Sequence, residues 1–268
     1  MSAAEIHPQA LVSPGAELGS GVSVGPFAVI EDGVRVGDGT RIQASAYLCS
    51  GTTLGRDNVV HMGAVLGHEP QDRGYGGAPT RVVIGDRNIF REGSTVHRGT
   101  APDTETRIGS DCFFMANSHA AHNCRVGDGV TLANGALLGG HVEVGDGAFL
   151  SGNAVVHQRI RVGRLAMIQG SSAASCDVPP FCNVSSLNEL RGINVVGLRR
   201  AGVEAHGIAA IRRAYRMLFH GRPNLGRART RLGEELDRSD GWTPEVRELL
   251  EFLEGGQSFC SVRSRRSS

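Results

Sequence analysis

Residues 108–168 read IGSDCFFMANSHAAHNCRVGDGVTLANGALLGGHVEVGDGAFLSGNAVVHQRIRVGRLAMI, and every sixth position is apolar. The series is Ile108, Phe114, Ala120, Val126, Leu132, Leu138, Val144, Leu150, Val156, Val162 and Ile168, often followed by glycine, as at Gly109, Gly127, Gly139, Gly145 and Gly163. A period of six is neither the 3.6 of a helix nor the alternation of a long strand, so it marks a repeat architecture. Short strands joined by tight turns can wind round an axis and point each sixth side chain into a continuous core. Glycine beside that residue eases backbone conformations that a Cβ disfavours. The pattern therefore predicts a parallel β-helix with three hexads, eighteen residues, to the turn, and successive strands about 4.8 Å apart.

The same frame runs from Ile6 through Val12, Leu18, Val24, Ile30, Val36, Ile42, Leu48, Leu54 and Val60 to Leu66, and resumes at Ile84, Phe90 and Val96. Two excursions interrupt it, near residues 70–81 and 101–106. Insertions that leave the register intact are loops thrown out from a corner; they either carry function or are merely tolerated at the surface. The double proline in Asp177-Val-Pro-Pro-Phe181 predicts the end of the coil. Beyond it Ile208, Ile211, Tyr215 and Leu218 form one helical stripe. Val246, Leu249, Leu250 and Leu253 form a second, behind a Thr243-Pro244 helix start. The predicted organisation is a coil over residues 1–190, a small α-helical domain over 191–260, and a disordered tail over 261–268.

Composition fits that architecture. The chain has 268 residues, 38 of them glycine and only 5% aromatic, which suits a slim core of medium aliphatics. A formal net charge of +1 makes no general case for nucleic acid. No lysine occurs, so all the basic side chains are arginine. Arg199, Arg200, Arg212, Arg213 and Arg216 crowd the first helical stretch, either as a solvated face or as a surface for an acidic partner. No apolar run is long enough for a membrane span, and Met1 to Leu11 lacks the regions of a signal peptide. The six scattered cysteines read as reduced thiols, and the chain as cytoplasmic.

The chemistry concentrates in His119-Ala-Ala-His122-Asn123-Cys124 with His141 and His157 downstream. At eighteen residues per turn His122 stacks over Gly140 and then Gln158, with His141 and His157 each one residue from that column. Three imidazoles on one edge suit either of two chemistries. One is zinc binding, as in the carbonic anhydrases built on a similar coil. The other is general base catalysis on a hydroxyl nucleophile, with Asn123 or a carbonyl setting the tautomer and the Gly140 N–H holding an oxyanion.

Longer segments narrow the choice. In order these are Gln71-Asp72 with Gly77-x-Pro79-Thr80-Arg81, Arg91-Glu92-x-x-Thr95-x-His97-Arg98-Gly99-Thr100, His119-x-x-His122-x-Cys124, Gly139-Gly140-His141 and Val156-His157-Gln158. Asp177-Val-Pro-Pro180, Gly192-x-Asn194 and Gly197-Leu198-x-Arg200 follow. Together they resemble the acyl-carrier-protein-dependent UDP-N-acetylglucosamine O-acyltransferases of lipid A biosynthesis over nearly the whole chain. The resemblance implies a left-handed β-helix and a homotrimer. It also implies transfer of a 3-hydroxyacyl chain from carrier-protein thioester to the sugar 3-hydroxyl, with no metal or organic cofactor beyond the carrier's phosphopantetheine.

On matching positions it implies that His122 is the base and that the Gly140 N–H binds the oxyanion. His141, His157 and Gln158 would meet sugar and acyl group, Asp72 and His119 would hold the sugar nucleotide, and Asn194 and Arg200 would meet the nucleotide. Gly170 falls where acyl length is set, and a glycine there leaves room for a long chain. The chain departs from the pattern at Asn123, usually aspartate, at Gly74, usually lysine, and at Val196 and Ala201, often acidic and basic. A 3-amino sugar acceptor, another hexapeptide acyltransferase, a zinc enzyme and a non-catalytic scaffold are the other readings.

Overall fold

The structure, a computed structural model, describes residues 3–220, 224–238, 242–256 and 258–262. The hexad period becomes a three-sided coil in which each side is a parallel sheet of two- to four-residue strands. The first face runs from Glu5–Ile6 through Ile89–Phe90 and Phe113–Phe114 to Met167–Ile168. The second runs from Leu11–Val12 through His119–Ala120 to Ala173–Ala174, and the third from Glu17–Leu18 to Arg161–Val162. Residues eighteen apart are paired, as in Leu137 with Val155 and Glu143 with Arg161.

The sixth residues fill the axis. Leu48, Leu66, Leu132, Leu150 and Ile168 are fully buried, and Phe90 stacks on Phe114 with ring centroids 4.9 Å apart. Each such burial is worth about 1.5–3 kcal/mol, so the stacked column is the main stabilising element of the coil. The ends of the rungs turn through left-handed backbone, at Asn117, Asn123, His141 and Asn153 among others.

Both excursions leave this core intact. The first spans residues 69–80, and a strand resumes at Arg81. The second is shorter than the sequence frame implied, since Glu105 and Thr106 already belong to the strand Glu105–Ile108. Because of the second, Thr95 lies against His119, a separation of 24, and because of the first Val65 pairs with Thr95, a separation of 30, whereas rungs without an excursion stack at 18.

The coil does not end at the double proline. Val178 still bridges to Val162, and Cys182–Ser185 adds a further rung to the first face before Glu189–Ile193 turns back antiparallel. Pro179 and Pro180 fall at a corner, where no ladder N–H is required, and Pro180 packs over Gly163.

Among the described residues four helices follow: α1 (Val195–Arg200), α2 (Ala205–Phe219), α3 (Leu225–Arg238) and α4 (Pro244–Glu254). The two stripes read from sequence lie on α2 and α4, with Tyr215 and Leu250 half-buried and the rest buried. Helix α3 carries no comparable stripe in the sequence, because only Ala228, Leu232 and Leu236 are buried among its charges. Arg161 and Arg164 fasten α4 to the coil. Arg161 bonds Asp177 at 2.7 Å and the Phe252 carbonyl at 3.0 Å, and Arg164 grips Glu248 at 2.8–3.0 Å. Of the tail, Ser261 bridges to Glu189, and residues 263–268 lie outside the described residues.

Candidate active site

The edge between the second and third faces carries the histidines. His122 sits two residues past the strand His119–Ala120, and its ring lies over Gly140 one rung on: a Cβ at 140 would come within 2.5 Å of Nε2. Only glycine admits the imidazole there. His141 donates its backbone N–H to the His122 carbonyl at 2.9 Å, and its ring meets that of His122 edge to face, 5.2 Å between centroids. The buried Gly140 N–H donates to no protein acceptor among the described residues, so it is available beside the His122 ring.

His122 Nδ1 lies 3.0 Å from Asn123 Oδ1. That oxygen also accepts from the Thr100 N–H at 3.2 Å and from its hydroxyl at 3.0 Å. Asn123 is itself anchored, its N–H donating to Thr106 Oγ1 at 2.7 Å from a left-handed backbone (φ 60°) that asparagine tolerates.

The histidine array extends further toward the N-terminus than the sequence suggested. His97, buried, stacks edge to face on His119 at 4.7 Å, and His68 lies 6.2 Å beyond. His119 Nδ1 is 2.7 Å from the Thr95 hydroxyl. Burial holds His97 neutral, lowering its pKa to about 4, and the neighbouring imidazoles of His119, His68 and His122 add to the effect. Burial first, and His122 second, lowers His119 as well. His141 is lowered by burial, by Arg159 and by His122, against the opposing charge of Asp72. The Asp72 carboxylate therefore reaches the field of this edge from the first excursion, where it also caps the Gly74 N–H at 2.8 Å.

Other expected residues lie apart. His157 and Gln158 are exposed one rung past His141, with His157 Nδ1 turned toward the Gln158 carbonyl at 3.3 Å. Gly170 is exposed, and a Cβ there would make only ordinary contact with the Gly152 carbonyl at 3.4 Å. Asn194 and Arg200 are on the other side of the molecule. They line a cavity of about 620 Å³ between the first face, at Phe149 and Met167, and α1. Val196 and Ala201 line it too. The Asn194 amide is spent within the chain: Oδ1 caps α1 at the Gly197 N–H, 3.0 Å, and Nδ2 donates to the Leu165 carbonyl, 2.9 Å. It shapes the wall of the cavity, and Arg200 is the exposed cation there.

No three His, Cys, Asp or Glu side chains are set to hold a metal ion among the described residues. His97, Thr95 and Thr100 belong to this edge but received no role from the sequence. The excursion between Thr100 and His119 breaks the count of eighteen that would have stacked them.

Comparison with known proteins adds to this geometry. The second domain of the UDP-N-acetylglucosamine O-acyltransferase family matches residues 177–263, and bacterial transferase hexapeptide repeats match residues 105–140. Two acyl-[acyl-carrier-protein]–UDP-N-acetylglucosamine O-acyltransferases align over 94% of this chain and 97% of their own length. That of Halorhodospira halophila is 49% identical and that of an Anaeromyxobacter species 44%. The solved UDP-N-acetylglucosamine acyltransferase of Campylobacter jejuni superimposes with a TM-score of 0.90 at 33% identity, covering 97% of this chain and 100% of that one.

Proposed function

This chain belongs to the acyl-[acyl-carrier-protein]–UDP-N-acetylglucosamine O-acyltransferase family, and on that premise we propose how its left-handed β-helix carries out the reaction. The enzyme moves an acyl chain from carrier-protein thioester to the 3-hydroxyl of UDP-N-acetylglucosamine, the first step of lipid A biosynthesis. His122 is the general base. With Nδ1–H donated to Asn123, its Nε2 takes the proton from the sugar hydroxyl as that oxygen attacks the thioester carbon. The tetrahedral oxyanion forms beside the Gly140 N–H, which needs no reorganisation to receive it. Collapse breaks the carbon–sulfur bond, and the imidazolium returns its proton to the departing phosphopantetheine thiolate. The observation that carries this reading is the His122 ring seated over Gly140, base and oxyanion donor side by side.

Around them His141, His157 and Gln158 meet sugar and acyl chain, Asp72 and His119 hold the sugar nucleotide, and Gly170 leaves the acyl groove open. Asn194, as part of the wall, and Arg200, as the cation, define a nucleotide end on the first face. In one chain that end and the His122 edge lie on different sides of the coil, which supports a homotrimer with sites between neighbours. Outward residues support the same arrangement. The third face presents Glu17, Arg35, Arg107, Arg125, Glu143 and Arg161, whereas Ile89 on the first and Leu137 and Val155 on the second are exposed and apolar.

Exposed Arg212, Arg213 and Arg216 on α2 offer the acidic carrier protein a docking surface. No described helix is long and apolar enough to cross a membrane. The cytoplasm is the proposed compartment, in keeping with six free cysteines.

The test is a mass-spectrometric assay of wild type and His122→Ala with UDP-N-acetylglucosamine, its 3-amino analogue and a panel of acyl carrier proteins. A His122-dependent ester product is expected. An amide product alone would move the acceptor to the amino sugar, and no product with either would overturn the assignment.

A further inference from the structure

Two donors and a ring nitrogen converge on one oxygen beside the base. Asn123 Oδ1 accepts from the Thr100 N–H at 3.2 Å and the Thr100 hydroxyl at 3.0 Å, and His122 Nδ1 lies 3.0 Å from it. A backbone N–H can only donate, so the atom facing Thr100 has to be the amide oxygen and not the NH₂. The same atom faces His122 Nδ1. Nδ1 must therefore carry the ring proton, which leaves the lone pair on Nε2, the atom poised over Gly140.

We propose that Thr100 is a positioning residue of this enzyme: by selecting the orientation of the Asn123 amide it selects the tautomer of His122 that can accept a proton through Nε2. The proposal rests on His122 being the base. It matters in this chain because the residue beside the base is an amide, Asn123, and not a carboxylate. A carboxylate shows an oxygen whichever way it is turned; an amide does so in only one of two orientations. A flipped Asn123 would aim NH₂ at His122, make Nδ1 the acceptor and put the proton on Nε2, where no lone pair would remain for the sugar hydroxyl.

Little else in the site can make that choice. The Asn123 backbone is held by Thr106 and by its left-handed conformation, so rotation of the amide is the remaining freedom. His141 stacks on the ring and Gly140 lies beneath it, and neither offers a group to Oδ1. Thr100 closes the first residues of the second excursion, so the loop's placement is coupled to the tautomer of the base.

The experiment pairs kinetics with a direct reading of protonation. Thr100→Pro, which removes the orienting N–H, and Thr100→Val, which removes only the hydroxyl, are compared in the native background and in Asn123→Asp, measuring kcat and KM. Histidine-selective ¹⁵N labelling reports which ring nitrogen of His122 bears the proton. With the orienting hydrogen bond removed, Thr100→Pro should lower kcat about five- to tenfold while KM for the sugar nucleotide stays put. Thr100→Val, which keeps the N–H, should keep most of the rate. In the Asn123→Asp background, Thr100→Pro should cost less than about twofold, because a carboxylate has no wrong orientation. Equal losses in both backgrounds, or an Nε2-protonated His122 in the wild type, would overturn the proposal. Full activity in His122→Ala would instead defeat the base assignment, and the ¹⁵N spectra would still decide whether Thr100 selects the tautomer.

Discussion

The imidazole of His122 occupies the space that a side chain at Gly140 would need, with Nε2 only 2.5 Å from the site of a Cβ. One rung of the coil thus supplies the proposed base, and the next supplies an empty floor and an N–H unengaged among the described residues. Gly140 has ordinary negative-φ backbone, so alanine would fit the chain while displacing the ring. Gly140→Ala should therefore fold and melt within about 1 kcal/mol of wild type yet lose at least about a hundredfold in kcat, as loss of an aligned base demands. Wild-type turnover in that variant would show that the ring over Gly140 is not the reacting group.

His97 makes the fold acid-sensitive. In the native state burial lowers its pKa to about 4, whereas in the unfolded chain it titrates near the ordinary imidazole value of about 6.5. The unfolded state therefore binds more protons in that window. The stability that neutral His97 represents is complete above pH 6.5 and is lost progressively as pH falls toward 4. Urea midpoints should imply a loss of about 2 kcal/mol between pH 7 and pH 5, and His97→Gln should remove most of that slope. His119 and His141, shifted in the same direction, would supply what remains. An unchanged slope in the variant would assign the acid sensitivity elsewhere.

The arginines of α2 are the proposed docking surface for the donor. Arg212 and Arg216 are exposed and Arg213 stacks on Trp242 at 3.6 Å. Reversing charge in Arg212→Glu/Arg216→Glu should raise KM for the acyl carrier protein by about tenfold or more at low salt and leave KM for the sugar nucleotide alone. Wild-type KM for the carrier should rise with ionic strength, and the variant's should respond less. A salt-independent wild type would place the carrier on another surface.

Assembly can be broken on one face. Leu137 and Val155 stack on the second face with 40% and 42% of their surface exposed. Leu137→Arg/Val155→Arg should turn the proposed trimer, followed by sedimentation, into a monomer with intact β-structure by circular dichroism. Activity should fall with it, since the His122 edge and the Arg200 cavity would no longer meet. A fully active monomer would contradict a site shared between chains.

The legible part of this protein was whatever a local count could reach. One apolar residue in six specified the coil, its buried axis and the placement of His122 over Gly140, because eighteen residues make one turn and stacking follows from arithmetic along the chain. The same arithmetic failed wherever an excursion intervened. Between Thr100 and His119 the path depends on how a surface loop packs, so the meeting of Thr100 with Asn123, and of His97 with His119, was not in the period. Asn194 shows a different limit. Its side chain is committed to the α1 N-terminus and to the Leu165 carbonyl, and a motif cannot reveal which partner a buried amide will satisfy.

The double proline is instructive in the other direction. Proline forbids a ladder hydrogen bond, but a three-sided coil has corners without one, and only the placement of Pro179 and Pro180 at a corner let the strand Cys182–Ser185 follow. By itself, then, the sequence determined the repeat, the core and the residue types at the catalytic edge, since those depend on a periodic burial pattern written into neighbouring residues. The tertiary structure alone decided which polar groups point at one another across rungs and loops, since hydrogen-bond partners are chosen by three-dimensional proximity and not by spacing along the chain.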